Sequence, residues 1–378
     1  MRTPNKTIGI VGGGQLGRML AIAARELGIK TIVLDPTPGC PAAEVADEHV
    51  LGDFTDADAI RALADTVDVL TFEIESAHAE TLEALASEGF PVHPTPATLS
   101  TIKDKLHQKT YLSERGIPVA PFMRVDSEAD ARVAGEQFGY PFLLKARRGG
   151  YDGRGNATVD SSEDLASAFT AFGAQELYAE AFIPFAKELA VVAARTQAGE
   201  IALYPLVETV HRDHICHTVY APAPVPGVVQ EGAEEIVRRV LDSFEGAGVF
   251  GIELFLTNDR EVMVNEIAPR VHNSGHFTIE ACHTSQFSQH IRAVAGLPLG
   301  DPSMRVPAAV MINILGSREG VAEPRGVDEA LALPSVGVHI YGKRQTKPQR
   351  KMGHLTAAGD TLTEATAKAL QAREHISI

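Results

Sequence analysis

Two acidic residues interrupt apolar segments in the second half of the sequence. Glu253 lies in the segment FGIELF and Glu266 in the segment VNEIAPR. An unpaired carboxylate among apolar neighbours is costly, whereas two carboxylates held side by side suit Mg²⁺, which binds hard oxygen ligands together with phosphate and water. If Asn258 and Asp259 form a two-residue hairpin turn, Glu253 faces Val264 and Glu266 lies diagonally across on the same face. The alternative is a pair of surface acids on an exposed sheet.

Two lysines upstream of this pair are placed where they could bind phosphate. Lys145 ends an apolar strand, directly before a loop rich in glycine and arginine that spans residues 146–156. Lys105 could add a second positive charge from a helix, although a lysine in a helix is more commonly solvated. Asn265 points away from the Glu266 face in a regular strand, yet it could still act as a ligand at the end of the strand.

A segment further along could hold the base and sugar of a nucleotide. Residues 180–183 leave a strand and enter a turn, so their backbone groups could pair with an adenine edge, and Glu188 could accept hydrogen bonds from ribose hydroxyls. His211 and His214 lie near Glu208, but this spacing is too loose to favour a transition-metal site. We expect these histidines to be structural or to line the nucleotide site.

The glycine loop near the N-terminus admits three interpretations. The pattern Gly12-x-Gly14-x-x-Gly17 follows a short apolar strand and precedes a helix, with Asp35 at the end of the next strand, as in dinucleotide-binding domains. Glycines also let backbone N–H groups approach any phosphate, so a phosphorylated substrate fits as well as NAD(P) does. A purely structural tight turn is the third interpretation. We favour the phosphate of a ligand other than a dinucleotide.

The composition argues against several classes of protein. The chain has 378 residues and a net charge of −15, which disfavours a general binder of nucleic acid or of anionic membranes. No apolar run reaches the ~18 residues that a membrane span needs, and the N-terminus lacks the features of a signal peptide. Cys40, Cys216 and Cys282 lie far apart, as expected of reduced thiols. We expect a cytoplasmic enzyme that acts on small molecules.

The order of the predicted elements indicates the fold class. Apolar strands alternate with amphipathic helices up to about residue 100, which predicts a Rossmann-like parallel sheet, and a charged helix is then predicted over residues 99–115. We expect α/β architecture in this N-terminal domain and α+β architecture in the rest. The predicted units are the N-terminal domain (1–100), a linker helix with a small subdomain (101–186), a larger subdomain that carries the acidic pair (187–305), and a small β-rich C-terminal domain that packs on it (306–378).

Taken together, the elements between about residues 100 and 300 resemble the ATP-grasp enzymes. In that superfamily two α+β units clamp ATP, and two Mg²⁺ ions bind at two acidic positions. By this resemblance the metal ligands are Glu253 and Glu266. The ATP-binding positions that it implies are Lys105, Lys145, Gly150, Glu180, Ala181, Phe182, Ile183, Glu188, His211, Asn265 and Glu266.

The outer segments resemble one family more narrowly, the 5-(carboxyamino)imidazole ribonucleotide synthases. Members of that family convert 5-aminoimidazole ribonucleotide, bicarbonate and ATP into the N-carboxylated ribonucleotide, ADP and phosphate through carboxyphosphate, as a step of purine biosynthesis. The resemblance implies the same substrates and a homodimer. The segments that carry it are GGGQLGRM (12–19), FEIE (72–75), GGYDGRG (149–155), NEIAPRVHNSGH (265–276), YGK (341–343) and RKMGH (350–354).

This resemblance also implies roles outside the ATP site. The catalytic residues would be Asp152, Arg154, Arg270, His272, Asn273 and Lys351, of which the last four surround the bicarbonate. The substrate-binding residues would be Gln15, Leu16, Glu75, Ser76, Tyr151, Asp152, Arg154, Lys343 and Arg350. A formate-using glycinamide ribonucleotide formyltransferase of the same fold is the nearest alternative. An oxidoreductase that uses NAD(P) at the glycine loop is the alternative from another class.

Overall fold

The computed structural model describes residues 6–150 and 155–378. Its first unit is a parallel sheet with helices on its faces, and its strand order is third, second, first, fourth along the chain. The third strand is not predicted from the sequence, because it is a short and largely exposed edge strand without an apolar run. The elements are β1 (Thr7–Val11), α1 (Gln15–Glu26), β2 (Lys30–Asp35), β3 (Glu48–Leu51), α2 (Ala57–Ala64), β4 (Val69–Phe72) and α3 (Ala79–Ser87).

Two helices connect this unit to the rest of the chain, where the sequence predicts one. They are α4 (Pro96–Lys103) and α5 (Lys105–Glu114), so the prediction of a single helix over residues 99–115 is wrong. The break lies at Asp104, whose backbone is extended (φ −98°, ψ 108°). The Asp104 carboxylate accepts the backbone N–H of His107 at 3.1 Å, which caps the start of α5. The break therefore places Lys105 at the first position of a new helix.

A small antiparallel sheet follows, with two helices that share its apolar core. The strand order is β5-β8-β6-β7, and the glycine-rich loop joins the two neighbouring strands β6 and β7. These elements are β5 (Phe122–Val125), α6 (Glu128–Phe138), β6 (Phe142–Ala146), β7 (Asn156–Val159), α7 (Leu165–Ala171) and β8 (Leu177–Ala181).

A nine-stranded antiparallel sheet forms the largest unit, in the order β14-β13-β9-β11-β12-β15-β19-β17 with β10 beside β9. The C-terminal strands extend this sheet, because β15 pairs with β12. In this part of the chain β16 and β18 form a separate two-stranded sheet. The elements are β9 (Phe185–Arg195), β10 (Ile201–Leu203), β11 (Val207–Arg212), β12 (Ile215–Ala221), α8 (Gly227–Ser243), β13 (Gly248–Thr257), β14 (Val262–Ala268), α9 (Thr278–Ala281), α10 (Gln286–Ala295), β15 (Ala308–Leu315), β16 (Gly320–Val321), α11 (Val327–Leu331), β17 (Val336–Ile340), β18 (Gln345–Thr346), β19 (Lys351–Gly359) and α12 (Leu362–His375).

The parallel sheet and the large sheet share one apolar core. Buried residues of α1, such as Leu20, belong to the same cluster as Val192 of β9 and Ile291 of α10. The buried His290 of α10 joins the two sheets, because its ring contacts Thr71 Oγ1 at 2.8 Å and accepts the Val249 N–H at 3.1 Å. His290 thus links β4 to the start of β13, the strand that carries Glu253. In the described part of the chain no helix is long and apolar enough to span a membrane.

Candidate active site

The two acidic residues predicted to bind metal face each other across β13 and β14. Glu253 and Glu266 are direct partners in the strand register, so the predicted pairing of Glu253 with Val264 is wrong. Two features shift the register: the hairpin loop includes a third residue, Arg260, in the left-handed region (φ +66°), and the ladder is irregular between Glu253 and Leu254, where Asn265 has no partner. The bulge lets the Asn265 amide reach Glu253 Oε2 at 3.4 Å, as a regular strand would not.

This arrangement brings two negative charges together. Burial, followed by the charge of Glu266, raises the pKa of Glu253 to about 6. Lys105 offsets part of the charge, because its Nζ lies 2.9 Å from Glu266 Oε2. Two facing carboxylates and an amide oxygen are the ligand types that Mg²⁺ prefers. The donor set therefore fits a divalent cation that binds between β13 and β14.

A second buried charge cluster lies next to this pair. Glu180 on β8 is 1% exposed, and its two oxygens lie 2.8 Å from Lys145 Nζ and 2.9 Å from Lys109 Nζ. The Lys145 contact is an aligned hydrogen bond, whereas the Lys109 contact is an ion pair without that alignment. Burial acts to raise the pKa of Glu180, but the charges of Lys109 and Lys145 outweigh it and lower the pKa to about 2. Glu180 is therefore ionised.

Lys109 is absent from the residues that the sequence singles out. It lies four residues after Lys105, so the two lysines share one face of α5, and this spacing is the signal that could have revealed it. Glu180 is predicted to contribute through its backbone, but in the structure its side chain anchors two lysines. Of the two lysines predicted to bind phosphate, Lys105 contacts Glu266 of the acidic pair and Lys145 contacts Glu180.

The predicted adenine and ribose contacts lie along β8 and β9. The Ala181 N–H already donates to the Pro121 carbonyl at 2.8 Å, and the Ile183 carbonyl accepts the N–H of Phe185 at 2.9 Å. The ring of Phe182 is 46% exposed. These contacts leave fewer backbone groups of residues 180–183 for an adenine edge than the sequence suggests.

Glu188 and His211 form a pair on the neighbouring strands β9 and β11. Their side chains meet at 2.6 Å between Oε2 and Nδ1. Burial acts to lower the pKa of His211, but the hydrogen bond and charge of Glu188 outweigh it and raise the pKa. Glu208 instead pairs with Lys187 at 2.5 Å, so the histidines and Glu208 do not gather into a metal site.

Residues that follow β14 line the other side of the acidic pair. Arg270 Nη2 lies 2.8 Å from Glu75 Oε1, and His272 Nε2 lies 3.4 Å from Glu253 Oε1. Burial lowers the pKa of His272 to about 3, so the ring is neutral. Because the Ser274 N–H donates to His272 Nδ1 at 3.3 Å, the proton of the neutral ring lies on Nε2 and points towards Glu253.

Asn273 and Lys351 are less directly placed. The side-chain amides of Asn273 and Asn313 donate hydrogen bonds to each other, at 3.1 and 2.6 Å. These two bonds fix the orientation of the Asn273 amide. The charge of Lys351 acts on both His211 and His272, so Lys351, at the start of β19, lies near both rings. We call the space that these residues border, together with Glu253 and Glu266, the active-site cleft.

The predicted substrate residues lie at the start of α1 and on the connection after β17. Gln15 and Leu16 open α1, and Ser76 follows Glu75 beyond the end of β4. Gly342 lies against Arg18 and Glu44, because a Cβ there would come within 3.5 Å of both, so its neighbour Lys343 is brought to the α1 side. Lys343 Nζ donates to the Lys351 carbonyl at 2.7 Å, and Arg350 Nη1 donates to the Gln345 carbonyl at 2.7 Å.

The glycine loop is already filled by two carboxylates. Gly13 N–H donates to Asp35 Oδ2 at 2.9 Å, while Gly14 and Gly17 N–H donate to the two oxygens of Glu73 at 2.5 and 3.1 Å. A pyrophosphate would have to displace these carboxylates and would be repelled by them. The geometry therefore argues against a dinucleotide site. Glu73 is not among the residues that the sequence predicts to bind a ligand, although it directly follows β4, where ligand-binding residues of parallel sheets gather.

One further group in the described ranges, 6–150 and 155–378, has the composition of a metal site. Glu280, His339 and His354 bring their ligand atoms within 4.8 Å of one another. The imidazoles of His339 and His354 stack at 4.6 Å with 19° between their planes, so their in-plane lone pairs run side by side and do not converge on one ion. His339 Nε2–H donates to Glu280 Oε1 at 2.6 Å, and Tyr341 contacts His354 Nδ1 at 2.9 Å. We interpret the group as a partly buried network of hydrogen bonds, in which Glu280 Oε2 and His354 Nε2 have no hydrogen-bond partner among the described residues.

Three of the predicted residues, Tyr151, Asp152 and Arg154, lie outside the described residues. Gly150 lies just inside them, at the end of the segment that follows β6.

Segments of the chain match three known domain families. Residues 5–103 match the ribonucleotide synthetase preATP-grasp domain, residues 110–287 the ATP-grasp domain, and residues 309–368 the C-terminal domain of phosphoribosylaminoimidazole carboxylase. The chain is 44% identical to a phosphoribosylaminoimidazole carboxylase of Ogataea methanolica over 95% of its own length and 68% of that protein. It spans 64% of the related chloroplastic carboxylase of Vigna aconitifolia.

Bacterial relatives and solved structures match along most of their length. An N5-carboxyaminoimidazole ribonucleotide synthase of Synechococcus elongatus is 41% identical, with 97% of this chain and 93% of that protein covered. The synthetase structure from Thermotoga maritima aligns with a TM-score of 0.90 at 44% identity, covering 98% of this chain and 99% of that one. A synthase from Aspergillus clavatus, solved with ADP and 5-aminoimidazole ribonucleotide, aligns with a TM-score of 0.90 at 39% identity and the same coverage.

Proposed function

This chain belongs to the N5-carboxyaminoimidazole ribonucleotide synthase family of ATP-grasp enzymes, and we propose that it carboxylates 5-aminoimidazole ribonucleotide with bicarbonate at the expense of ATP. The γ-phosphoryl group of ATP passes to a bicarbonate oxygen, which gives carboxyphosphate and ADP. The substrate amine then attacks the carbonyl carbon, the bond from that carbon to the phosphate oxygen breaks, and the amine loses a proton. The products are the N-carboxylated ribonucleotide, ADP and phosphate.

The observation that carries the proposal is the facing pair Glu253 and Glu266, with Asn265 beside it. We propose that these residues hold Mg²⁺, which when bound neutralises negative charge on the phosphate oxygens. Lys105 and Lys145 add positive charge next to the pair. Phosphoryl transfer depends mainly on positioning and charge neutralisation, and this cluster supplies the groups for both.

Neighbouring residues take the remaining roles in this proposal. Glu188 accepts the ribose hydroxyls, because its side chain is 25% exposed while His211 holds its Oε2. The neutral His272 donates its Nε2–H towards the oxygen of bicarbonate or carboxyphosphate, and the charged Arg270, oriented by Glu75, stabilises the same anion.

The aminoimidazole side of the substrate is assigned to the start of α1 and to the glycine-rich loop. The backbone at Gln15 and Leu16, together with Lys343 and Arg350, would bind the substrate phosphate. Glu75 and Ser76 would contact the ribose or ring. Asn273 and Lys351 would complete the bicarbonate site, and Tyr151, Asp152 and Arg154 would meet the amine side of the ring.

We also propose a homodimeric, cytoplasmic enzyme, which the family resemblance implies. The oligomeric state is checked by light scattering on the purified chain, where a mass near twice 40.4 kDa is expected.

The experiment that tests the function measures ADP release with Mg²⁺ and ATP. The arms add or omit 5-aminoimidazole ribonucleotide and bicarbonate, and one arm replaces bicarbonate with formate. We expect release to require both the ribonucleotide and bicarbonate. Release that formate supports equally, or that neither addition stimulates in protein that binds ATP, would overturn the substrate assignment.

A further inference from the structure

The active-site cleft contains a buried lysine, Lys109, that has no role in the reaction as proposed above. Lys109 follows Lys105 by four residues on α5, and its side chain is 3% exposed, against 16% for Lys105 and 10% for Lys145. Its Nζ lies 2.9 Å from Glu180 and 3.4 Å from the Val264 carbonyl. It is therefore covered by β8 and β14, whereas the other two lysines reach the surface of the cleft.

The charges around Glu180 do not cancel. One carboxylate faces two amino groups, Lys109 and Lys145, so with both lysines protonated the three side chains together carry one net positive charge. Burial lowers the pKa of Lys109, and the charge of Glu180 acts against this lowering. A buried carboxylate that loses a partner leaves the remaining partner to neutralise it. Without Lys109, Lys145 would be the residue that neutralises Glu180, and the Lys145–Glu180 pair would carry no net charge.

We propose that Lys109 is a positioning residue that acts through Glu180: it neutralises the carboxylate and so leaves the charge of Lys145 available to the phosphates of ATP. The inference rests on the proposed function in one respect, namely that Lys145 binds those phosphates. Lys109 itself contacts no nucleotide atom in this scheme.

Other charged groups close by do not substitute for Lys109. Lys105 pairs with Glu266 at 2.9 Å, and Glu253 adds a further negative charge to the metal side of the cleft. Tyr178, whose pKa burial raises well above its ordinary value, is neutral. The net positive charge on this side of the phosphate site therefore depends on Lys109.

The test compares three variants with the wild-type full chain: Lys109→Met, Glu180→Gln, and the double variant. Lys103→Met is the matched control, because this lysine ends α4 and its Nζ donates to the Ala77 carbonyl at 3.3 Å, away from Glu180. The dissociation constant of Mg-ATP is measured by calorimetry, KM and kcat by ADP release, and folding by thermal unfolding.

We expect Lys109→Met to weaken ATP binding on the order of tenfold, because one charge near the phosphates is cancelled. The KM for bicarbonate should stay unchanged. The double variant removes the carboxylate together with its neutralising partner, so it should restore ATP affinity to within about threefold of wild type. A residue that only fills space would give no such restoration, since the double variant disturbs the packing at least as much.

Each outcome decides the question. Wild-type ATP affinity in Lys109→Met overturns the proposal, and so does a double variant that binds as weakly as Lys109→Met. If Lys109→Met does not fold, Glu180→Gln decides, because it removes the charge that Lys145 must neutralise: affinity at or above wild type supports the proposal, and weaker binding overturns it. Wild-type protein that binds ATP without forming product would contradict only the proposed substrates.

Discussion

Two regions of this molecule place carboxylates beside groups that could bind phosphate, and they do so with opposite results. In the glycine loop, Asp35 and Glu73 accept the backbone N–H groups of Gly13, Gly14 and Gly17, which the pyrophosphate of a dinucleotide would use. Across β13 and β14, Glu253 and Glu266 face each other, and Lys105 borders them. Asp35 and Glu73 are bound by fixed backbone N–H donors, whereas Glu253 and Glu266 face each other as like charges.

This difference shows which kind of pattern indicates a binding site. The glycine loop has the more specific sequence motif, yet its donors are already used within the fold. The cleft has an ordinary-looking sequence, yet it holds two opposed acids, and the pKa of Glu253 is raised to about 6, first by burial and then by the charge of Glu266. Like charges held side by side in a folded protein are costly unless a partner offsets them, and Lys105 offsets part of the charge of this pair, so the acidic pair favours a bound cation.

The largest effect is expected when the charge of the acidic pair is reduced. Glu266→Gln removes one anionic ligand, and ADP release should fall on the order of 10²–10³-fold, because phosphoryl transfer relies on charge neutralisation at this point. Steady-state rates over a range of Mg²⁺ concentrations check this, and the Mg²⁺ requirement should rise as the rate falls. Glu261→Gln is the control, because this exposed acid lies in the same hairpin, directly before β14. Equal losses in both variants would contradict the assignment.

A second variant tests a carboxylate that supports the cleft without belonging to the acidic pair. Asp104 caps α5 and also binds Arg147 and Arg148, at 2.5 and 3.2 Å. Asp104→Asn can still cap the helix but loses the charge, so we expect the free energy of unfolding to drop by roughly 2–3 kcal/mol. The KM for ATP should also rise, because the Lys105 N–H donates to the Arg147 carbonyl at 2.8 Å and this contact fixes the start of α5.

The measurement pairs chemical unfolding with ADP-release kinetics, and Asp56→Asn on α2 provides the control. Asp56 also caps a helix through its side chain, but it lies in the parallel sheet unit. An unchanged KM for ATP in Asp104→Asn would show that the cap alone positions Lys105.

The two regions also differ in how much the sequence alone reveals. The apolar strands and the identities of Glu253 and Glu266 follow from residue patterns, because burial and alternation are local properties. Their direct opposition does not, because it depends on the left-handed Arg260 and on the bulge at Asn265, neither of which has a strong sequence signature. The four-residue spacing from Lys105 marks Lys109 as a candidate, but its burial does not follow from the sequence, since β8 and β14 cover it and lie far from it along the chain.

The occupied glycine loop is tested by removing one acceptor from it. Glu73→Gln offers a single acceptor oxygen to two backbone N–H groups, so we expect a loss of roughly 1–2 kcal/mol in the free energy of unfolding. Affinity for ATP should stay unchanged. A gain of NADH binding in wild-type protein, detected by its fluorescence, would contradict the view that this loop is closed.

The stability of the loop should also depend on pH. Burial, the largest influence, raises the pKa of Glu73 from 4.5 to about 7, so between these pH values the folded chain holds a proton that the unfolded chain has released. The contribution of Glu73 to the free energy of unfolding therefore falls as the pH rises from 4.5 to 7. Glu73→Gln cannot titrate, so its deficit relative to wild type should be larger at pH 5 than at pH 7.5. Chemical unfolding at both pH values checks the sign.

The smallest effect is expected at the tip of the hairpin that brings the acidic pair together. Arg260 holds φ at +66°, a region that costs most non-glycine residues about 1 kcal/mol. Arg260→Gly should raise the free energy of unfolding by up to about 1 kcal/mol, while Asp259→Gly in the same loop, where φ is not positive, should lower it. The Mg²⁺ requirement should be unchanged in Arg260→Gly, because the three-residue loop and hence the Glu253–Glu266 register are kept. A changed Mg²⁺ requirement would mean that the arginine side chain, and not the backbone conformation, sets the register of the strands that carry Glu253 and Glu266.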